Sequence, residues 1–422
     1  MITVGLDFGT HQTKVCVENK QGVELSYTFM RFEDAYHNKF YTFPSLVGVG
    51  NDGLLSYGYL PRRYDGRIIR YFKQSTFRPS SQGMTQTNAM FFSTWYLAYI
   101  LFDLEKLYGQ EFTIQMGAPT DSSHVNQAKQ IATRIIASAY RLVEEVFNGD
   151  KQKFMATPMT ELTELTTLVP YSKEVKDEYG LLVFPEAYAC LKPLISQGKL
   201  ADGMSLMIDI GGGTTDISFF TIEKNKPQVY DFFSINKGLN FLTGANESNQ
   251  SGTTVNVLDG SEIIQSRRNS YINEVNQVCD TLKNKLQTEF RKQTGLHVHR
   301  LLDALKNRPL VYCGGGSTFK SLRVGYGGYQ DRKQISHREW NVKAVKDINN
   351  IIFDDLCPIL STAYGLAIST ENDNIVMKPF KDIFENIRGV EEEHRHKTVG
   401  SHNSFGSALG GFSYSDDWDA WK

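Results

Sequence analysis

Apolar residues recur at two spacings along most of the chain, and these spacings predict alternating strands and helices. Short apolar runs at 205–210 and 308–313 are bounded by polar or glycine-rich turns, which is typical of buried strands. Over 122–147, apolar residues lie three and four positions apart, which predicts one long amphipathic helix with Asp121 or Ser122 as its N-cap. The alternation continues to about residue 370 and predicts a layered α/β fold.

The same pattern predicts two strand–turn–strand units, each with a short turn of glycine and polar residues. The first hairpin joins strands within 3–8 and 14–18, and the second joins 205–210 to a returning strand at 217–220. The remaining predicted segments are helices at 186–195 and 270–293, a loop at 246–260, and a mobile end beyond about residue 391.

Length and composition indicate a large folded protein. At 422 residues the chain is long enough for two domains, or for one fold built from two lobes. Apolar residues make up 41% and charged residues 22%, a balance that excludes a disordered chain. The 45 Lys and Arg residues nearly balance the 47 Asp and Glu residues, so no overall positive field attracts nucleic acid and no nucleic-acid partner is expected.

The sequence also bears on cellular location and on cysteine chemistry. No apolar run approaches the length of a membrane span, and the first eight residues lead directly into a strand that carries Asp7, unlike a secretory signal. A cytoplasmic protein without membrane contact is therefore expected. The five cysteines are widely separated and include no CxxC pair, which argues against a disulfide framework and a structural zinc site.

Three glycine turns carry the candidate chemistry, at 7–10, 209–214 and 314–318. In such turns backbone N–H groups can approach phosphate oxygens, because no side chain stands in the way. Asp7 and Asp209 begin the first two turns and suit a hydrated Mg²⁺, which needs only a few carboxylate oxygens besides water and phosphate. A single glycine turn is common in any fold, so the prediction of a polyphosphate site depends on two such hairpins facing one another.

The three candidate turns match neither of two common nucleotide motifs. No G-x-x-x-x-G-K-[ST] occurs, because Phe319 stands where the second glycine would have to precede Lys320, and none of the three turns is a G-x-G-x-x-G turn. A P-loop ATPase and a dinucleotide-binding protein are therefore disfavoured.

In their order and separation, the three turns resemble the motifs of the actin-like ATPase superfamily, which includes DnaK-type heat-shock chaperones, bacterial actin homologues and sugar kinases. The closest resemblance is to the nucleotide-binding domain of DnaK-type chaperones. There, 209–216 resembles the second phosphate loop, 313–318 the adenosine motif, 279–284 the helix that reaches the ribose and adenine, and 363–367 the final helix.

This resemblance implies an α/β fold of two ribonuclease H-like lobes with a nucleotide cleft between them. The implied divisions are lobe I at 1–200, to which 357–385 returns, lobe II at 201–356, and a mobile C-terminal tail at 386–422. The implied cofactors are ATP or ADP and Mg²⁺.

The resemblance also implies a set of site residues. The catalytic residues that it implies are Asp7, Lys73, Glu186 and Asp209, of which Asp7 and Asp209 also hold the metal. The nucleotide contacts that it implies are Gly9, Thr10, His11, Lys14, Gly211, Gly212, Gly213, Thr214, Gly244, Asp280, Lys283, Gly315, Gly316, Ser317 and Phe319.

Two of these assignments stay open. Lys73 stands where the chaperones carry their catalytic lysine and Lys14 where actins carry theirs, so either can be the contact to the terminal phosphate. Glu186 follows Pro185, which reverses the chaperone order and is similar to plasmid-segregating actin homologues. An acid at this position can also serve only to stabilise the N-terminus of its helix.

The function implied by the resemblance is a Mg²⁺-dependent ATPase that acts as a nucleotide-driven conformational switch for a protein partner. The residues after 385 are too few for the chaperones' substrate-binding module, so a partner is expected to read the nucleotide state. The acidic end at 415–422, with Trp418 and Trp421, is either a docking segment for that partner or an inert tail. A self-assembling, actin-like filament protein is the alternative, and a small-molecule kinase is a third hypothesis for which no catalytic aspartate motif is found.

Overall fold

The computed structural model of the chain describes residues 2–22, 24–61, 63–78, 84–119, 125–169, 173–200, 203–223, 226–244, 263–294, 310–323, 334–336, 356–370 and 381–383. The predicted N-cap at 121 or 122, the predicted loop at 246–260 and the predicted tail at 386–422 lie outside these residues.

Sixteen strands are present in the described residues. They are β1 (Ile2–Asp7), β2 (Gln12–Gln21), β3 (Glu24–Phe29), β4 (Phe32–Glu33), β5 (Lys39–Phe40), β6 (Phe43–Pro44), β7 (Val47–Gly50), β8 (Leu55–Tyr57), β9 (Gly66–Ile69), β10 (Phe112–Ala118), β11 (Leu181–Pro185), β12 (Gly203–Ile210), β13 (Thr215–Glu223), β14 (Lys226–Ile235), β15 (Leu310–Cys313) and β16 (Gln334–Ser336).

The α-helices of the described residues alternate with these strands. They are α1 (Phe72–Phe77), α2 (Gln86–Tyr108), α3 (Val125–Arg141), α4 (Lys151–Met155), α5 (Met159–Leu168), α6 (Lys173–Glu178), α7 (Glu186–Ser196), α8 (Leu239–Thr243), α9 (Gln265–Thr294) and α10 (Cys357–Ala367). A π-helical turn at Leu142–Val146 and two 3₁₀ turns at Gly315–Thr318 and Lys320–Leu322 complete the set. The predicted α/β class is confirmed.

Two large mixed sheets share one strand order. The first runs β11-β10-β1-β2-β3, with β6 also paired to β2, and the second runs β16-β15-β12-β13-β14. In each sheet the first three strands in sequence form an antiparallel meander, and two later strands add in parallel beside the first. A two-stranded β4-β5 sheet and a three-stranded β8-β7-β9 sheet lie outside this pattern.

Both hairpins predicted from the sequence are present. β1 and β2 pair in antiparallel register from Ile2 with Asn19 to Asp7 with Lys14. β12 and β13 pair from Gly203 with Ile222 to Ile210 with Thr215. A short apolar run bounded by a turn succeeds as a signal here because β1 and β12 are buried along almost their whole length.

The long helix predicted at 122–147 differs from the structure at its end. The described part is α-helical to Arg141 and then forms a π-helical turn, in which the Phe147 N–H donates to the Leu142 carbonyl at 2.9 Å. The apolar spacing does not reveal this change, because Leu142 and Val143 stay buried through the wider turn.

Each large sheet is covered in part by a helix that the chain places after the other sheet. The helix α7 directly follows β11 of the first sheet, yet its buried residues share a core with Met207 and Val311 of the second. The helix α10 follows the second sheet in sequence, yet it packs on Cys16 and Phe29 of the first. This exchange ties the two sheets together through the α7–α10 pair.

The contact between α7 and α10 depends on a glycine. A Cβ on Gly365 would lie 1.8 Å from the Ala189 carbonyl oxygen and 3.1 Å from Pro193 Cδ. Pro193 lies inside α7 and has no N–H, so the carbonyl of Ala189 lacks the donor that residue 193 would normally supply. The two helix backbones therefore approach one another at the point where the hydrogen-bond ladder of α7 is interrupted.

Within the described residues, no helix combines the length and the apolar character that crossing a membrane requires.

Candidate functional site

The first glycine turn is held tightly between β1 and β2. The Gly9 N–H donates to the Asp7 carbonyl at 3.0 Å, and the Ser45 hydroxyl donates to the Gly9 carbonyl at 2.6 Å. A Cβ at residue 9 would lie 2.2 Å from the Gln12 carbonyl oxygen, so only glycine fits there. The turn therefore has one fixed backbone shape.

The second glycine turn rests against the N-terminus of α8. The N–H groups of Leu239 and Asn240 donate to the carbonyls of Gly211 and Gly212 at 3.0 and 2.9 Å. A Cβ on Gly238 would lie 2.6 Å from both of those carbonyl oxygens. The turn carbonyls thus satisfy backbone donors at the start of α8.

The tips of the two hairpins meet at His11. A Cβ on Gly212 would lie 2.3 Å from His11 Cδ2, and one on Gly213 would lie 3.0 Å from His11 Nε2. The Asn240 amide nitrogen lies 2.9 Å from His11 Nε2, and the Tyr71 ring packs edge-on at 5.3 Å between centroids. The imidazole therefore fills the space directly between the tips and joins the first sheet to α8.

The pKa of His11 is lowered to about 4, mainly by burial and in addition by the nearby charges of Lys14 and Arg70. The ring is neutral at physiological pH. A neutral imidazole nitrogen can accept the hydrogen bond that the Asn240 amide donates.

A cavity of about 420 Å³ opens beside these tips. Its lining residues are Thr10, Tyr71, Lys73, Gln74, Phe77, Arg78, Pro119, Glu186, Gly213, Thr214, Asp216, Phe232, Ser234 and Asn236. Residues from both hairpins, from α1 and from the start of α7 thus surround one space that carries both positive and negative charge.

A buried ion pair lies in the wall of this cavity. Lys73 Nζ lies 2.6 Å from Glu186 Oε1 and also sits 5.7 Å from the centroid of the Phe8 ring. Burial raises the pKa of Glu186, Lys73 opposes that shift, and the charge of Asp7 adds to it. The carboxylate of Glu186, at the first residue of α7, is held at the cavity wall by its ion pair with Lys73.

The structure places the two candidate lysines differently. Lys14 Nζ donates to Asp7 Oδ2 at 3.0 Å across the β1–β2 hairpin, where the two residues are register partners. Lys73 is among the residues that line the cavity, whereas Lys14 is not. Each lysine therefore neutralises a different carboxylate, and of the two only Lys73 borders the open space.

Asp209 and Asp216 are register partners in the second hairpin. Burial raises the pKa of Asp209 well above its usual range, with Cys190 and Asp216 adding to the shift. Burial also raises the pKa of Asp216 to about 6, opposed by a hydrogen bond with Ser234. Asp216 Oδ1 is buried and, in the described residues, accepts no hydrogen bond.

Asp216 is one of the site residues that the sequence prediction missed. The sequence does contain a signal for it, because Asp216 is an acid at the start of an apolar strand and lies opposite Asp209 in the hairpin register. Arg78 and Gln74 of the cavity wall were missed as well, since neither belongs to a glycine turn.

The carboxylates fit the cation that the sequence implies. Asp7, Asp209 and Asp216 supply hard oxygen donors near the hairpin tips, and the unpartnered Asp216 Oδ1 is a buried acceptor without a donor. Mg²⁺ prefers such oxygen ligands and keeps several waters. When bound, Mg²⁺ would supply positive charge against phosphate oxygens.

The third glycine turn lies beside the second and does not line the cavity. A Cβ on Gly316 would lie 2.2 Å from Ile210 Cγ2, and Ser317 and Thr318 hydroxyls donate to the carbonyls of Gly314 and Gly315 at 2.8 Å. A Cβ on Gly315 would lie 3.5 Å from Leu239 Cδ1 and 3.7 Å from Ile359 Cγ1. The turn is thus built into the edge of the second sheet.

The remaining predicted contacts lie away from the cavity lining. Phe319 packs against the core of the second sheet, and Gly244 ends α8 with a φ of 77° near Arg267. Asp280 and Lys283 form a 3.9 Å ion pair with one another on α9. The structure therefore brings the first two glycine turns, Lys73 and Glu186 together, but not these four residues with them.

Comparison with protein-family models and with curated proteins found no match for this chain.

Proposed function

We propose that this chain is a Mg²⁺-dependent ATPase of the actin-like fold, closest to the nucleotide-binding domain of DnaK-type chaperones, and that a protein partner reads its nucleotide state. The observation that carries the proposal is the meeting of two glycine hairpins, from two sheets of equal strand order, beside a cavity walled by Lys73 and Glu186. Glycine turns that face one another suit a triphosphate.

The repeated sheet supports the two-lobed interpretation. Each sheet has an antiparallel meander followed by two parallel strands, and α7 and α10 cross between the sheets. A small rotation about these crossing helices would change the separation of the hairpin tips, which is the motion that a nucleotide switch requires. The proposal places lobe I at 1–200 with 357–385 and lobe II at 201–356.

Roles follow from the charges around the cavity. Lys73 provides the cation against the terminal phosphate, and Glu186 orients the attacking water, which is the main task of protein groups in phosphoryl transfer. Asp7 and Asp209 hold the hydrated metal, and Asp216 adds a carboxylate on the same side. His11 must rotate out from between the tips before a phosphate can lie between them.

ATP binding and hydrolysis by the wild type and by Glu186→Gln and Asp209→Asn variants test this proposal. Glu186→Gln should bind ATP with little change and lose at least about a hundredfold in hydrolysis rate, because positioning of water is lost while phosphate contacts remain. Glu145→Gln, in an exposed ion pair with Arg141, is the matched control and should hydrolyse ATP like the wild type. Equal hydrolysis by all variants, or no ATP binding by the wild type, would refute the proposal.

A self-assembling actin-like ATPase is the second candidate. Pro185 ends β11 and Glu186 begins α7, the order that resembles plasmid-segregating actin homologues, and the Lys14–Asp7 pair puts a lysine at the position that actins use. ATP-dependent sedimentation separates the candidates. Pelleting that requires ATP would favour the filament, and a monomer in all nucleotide states would favour the partner-read switch.

A further inference from the structure

One group of two thiols and one carboxylate with the spacing of metal ligands is present in the part of the chain that the structure describes. The side-chain ligand atoms of Cys190, Asp209 and Cys313 all lie within 4.8 Å of one another. The two cysteines are 123 positions apart in sequence, so their spacing gives no sign of a shared site. Both thiols are fully buried, and Asp209 is the partly exposed member of the group.

The β-sheet register explains how these residues come together. Asp209 of β12 and Cys313 of β15 are partners in parallel strands, so their side chains lie side by side on one face of the second sheet. That face packs against α7, which contributes Cys190. A Cβ on Gly314 would lie 2.3 Å from Asp209 Oδ1, so a glycine after Cys313 is what leaves room for the carboxylate.

The donor set distinguishes this group from the magnesium ligands. Two thiolates and one carboxylate suit Zn²⁺, whereas Mg²⁺ takes oxygen ligands. In a tetrahedral site with Zn²⁺ bonds of about 2.0 to 2.3 Å, neighbouring ligand atoms lie roughly 3.5 to 3.8 Å apart. The observed group needs to contract by only about 1 Å, which rotation of the two cysteine side chains supplies.

We propose that Cys190, Cys313 and Asp209 form a Zn²⁺ site with water as the fourth ligand. Binding releases the two thiol protons to solvent and leaves both sulfurs as thiolates on the metal. The water enters at Asp209, the partly exposed member. The Ser361 hydroxyl, 3.5 Å from Cys190 Sγ, supports one sulfur from α10.

Occupation of this site would engage the carboxylate of Asp209 and withdraw it from a Mg²⁺ bound near the hairpin tips. This consequence rests on the proposed function, in which the same carboxylate holds the hydrated Mg²⁺. Zn²⁺ would then inhibit ATP hydrolysis, and a chelator would restore it. The metal site itself does not depend on ATP.

Titration of the full chain with Co²⁺, under a reductant that does not bind metals, tests the site without nucleotide. The wild type should bind one Co²⁺ per chain with thiolate-to-metal absorption in the near ultraviolet, and added Zn²⁺ should remove that absorption. Cys190→Ser and Cys313→Ser should each abolish it, and Asp209→Asn should weaken binding at least about tenfold. Cys279→Ser, in a buried cysteine of α9 outside the group, is the matched control and should bind Co²⁺ like the wild type.

A second measurement needs no substitution. All five cysteines are buried, so alkylation of the wild type proceeds through local opening and can be followed by mass spectrometry. Zn²⁺ should slow the labelling of Cys190 and Cys313 and leave Cys16 unchanged. Three outcomes would overturn the site: equal labelling rates with and without Zn²⁺, Co²⁺ absorption that survives in the Cys190→Ser, Cys313→Ser double variant, or a disulfide between Cys190 and Cys313 that persists in the presence of the reductant.

ATP binding measured separately keeps the two proposals distinguishable. Co²⁺ absorption in a protein that does not bind ATP would leave the metal site standing and refute the ATPase. ATP hydrolysis that Zn²⁺ does not affect, together with absent thiolate absorption, would refute the metal site alone.

Discussion

Lys73 and Glu186 are 113 positions apart in sequence and form a 2.6 Å ion pair in the wall of the cavity. Lys73 lies in α1 and Glu186 begins α7, so the pair joins two distant segments of the first half of the chain. The side chain of Lys73 is 7% exposed and that of Glu186 is 20% exposed. In the proposed function this buried cation is the contact to the terminal phosphate.

Removal of the lysine should be costly for folding as well as for function. Lys73→Ala leaves a largely buried carboxylate without its cation, and we expect the free energy of unfolding to fall by about 3 kcal/mol. Urea unfolding of the variant measures this loss. Adding Glu186→Gln to Lys73→Ala should recover most of it, because the uncompensated charge is then gone.

The matched control for that experiment is Lys151→Ala. Lys151 forms a 2.6 Å pair with Asp103, but both side chains are more than a quarter exposed. We expect a loss of about 1 kcal/mol there. A Lys73→Ala variant that loses no more stability than Lys151→Ala would contradict the importance of the buried pair.

The two hairpins could be predicted from the sequence, and their meeting could only be inferred. Short apolar runs joined by a glycine turn specify each hairpin locally. Once the register of the hairpin is assigned, Asp7 pairs with Lys14 and Asp209 pairs with Asp216. The contact at His11 depends on how two sheets pack, and no local pattern encodes that packing. The thiols of Cys190 and Cys313 meet for the same non-local reason.

His11 should make the stability of the protein depend on pH. The folded-state pKa of His11 is lowered to about 4, while the unfolded chain takes up a proton near 6.5. The unfolded state therefore binds more protons between these values, so stability is complete above about pH 6.5 and falls as the pH drops toward 4.

Urea unfolding from pH 7 to pH 4.5 checks this expectation against His11→Gln. The glutamine keeps a hydrogen-bonding group near Asn240 and does not titrate. The difference in stability between the two proteins should shrink as the pH falls. A difference that stays constant over this range would show that the imidazole does not stay neutral in the folded protein.

Gly365→Ala should disrupt the crossing of α7 and α10. The added methyl carbon would lie 1.8 Å from the Ala189 carbonyl oxygen, a backbone atom that cannot move without shifting α7. We expect a loss of about 3 kcal/mol or more in the free energy of unfolding.

A second glycine separates this clash from ordinary glycine effects. Gly198, which follows α7 in a Schellman turn, has a φ of 66° and nothing within 4 Å of an added Cβ, so Gly198→Ala carries only the left-handed backbone cost of about 1 to 2 kcal/mol. Thermal unfolding of both variants makes the comparison. Similar losses would indicate that the helix pair can separate at little cost.

The glycine at 365 illustrates what the sequence leaves unstated. The final helix was predicted by resemblance through 363–367, and α10 confirms a helix there. Two further features are known only once both helices are placed. The helix α10 packs on the first sheet, and Pro193 of α7 cannot donate to the Ala189 carbonyl that faces residue 365. Local propensity specifies the helix, whereas the tertiary contact explains why residue 365 must be glycine.

Asp216 should oppose stability at neutral pH while serving the site. Its folded pKa of about 6 lies above the usual value of 3.8, so the unfolded chain releases this proton more readily. Stability from this group is present below about pH 4 and is lost as the pH rises through 6. Asp216→Asn should therefore raise the free energy of unfolding at pH 7 by about 1 kcal/mol, with a smaller effect at pH 5.

Asp216→Asn should also lower the rate of ATP hydrolysis at least about tenfold if the carboxylate acts beside Asp209. Urea unfolding at the two pH values measures the effect on stability, and a hydrolysis assay measures the effect on activity. Asp231→Asn is the control, because Asp231 is a buried acid that pairs with Lys285 away from the cavity. That variant should be less stable than the wild type. If Asp216→Asn is less stable than the wild type at pH 7, then interactions with its neighbours stabilise the ionised carboxylate by more than burial destabilises it, and the expectation is wrong.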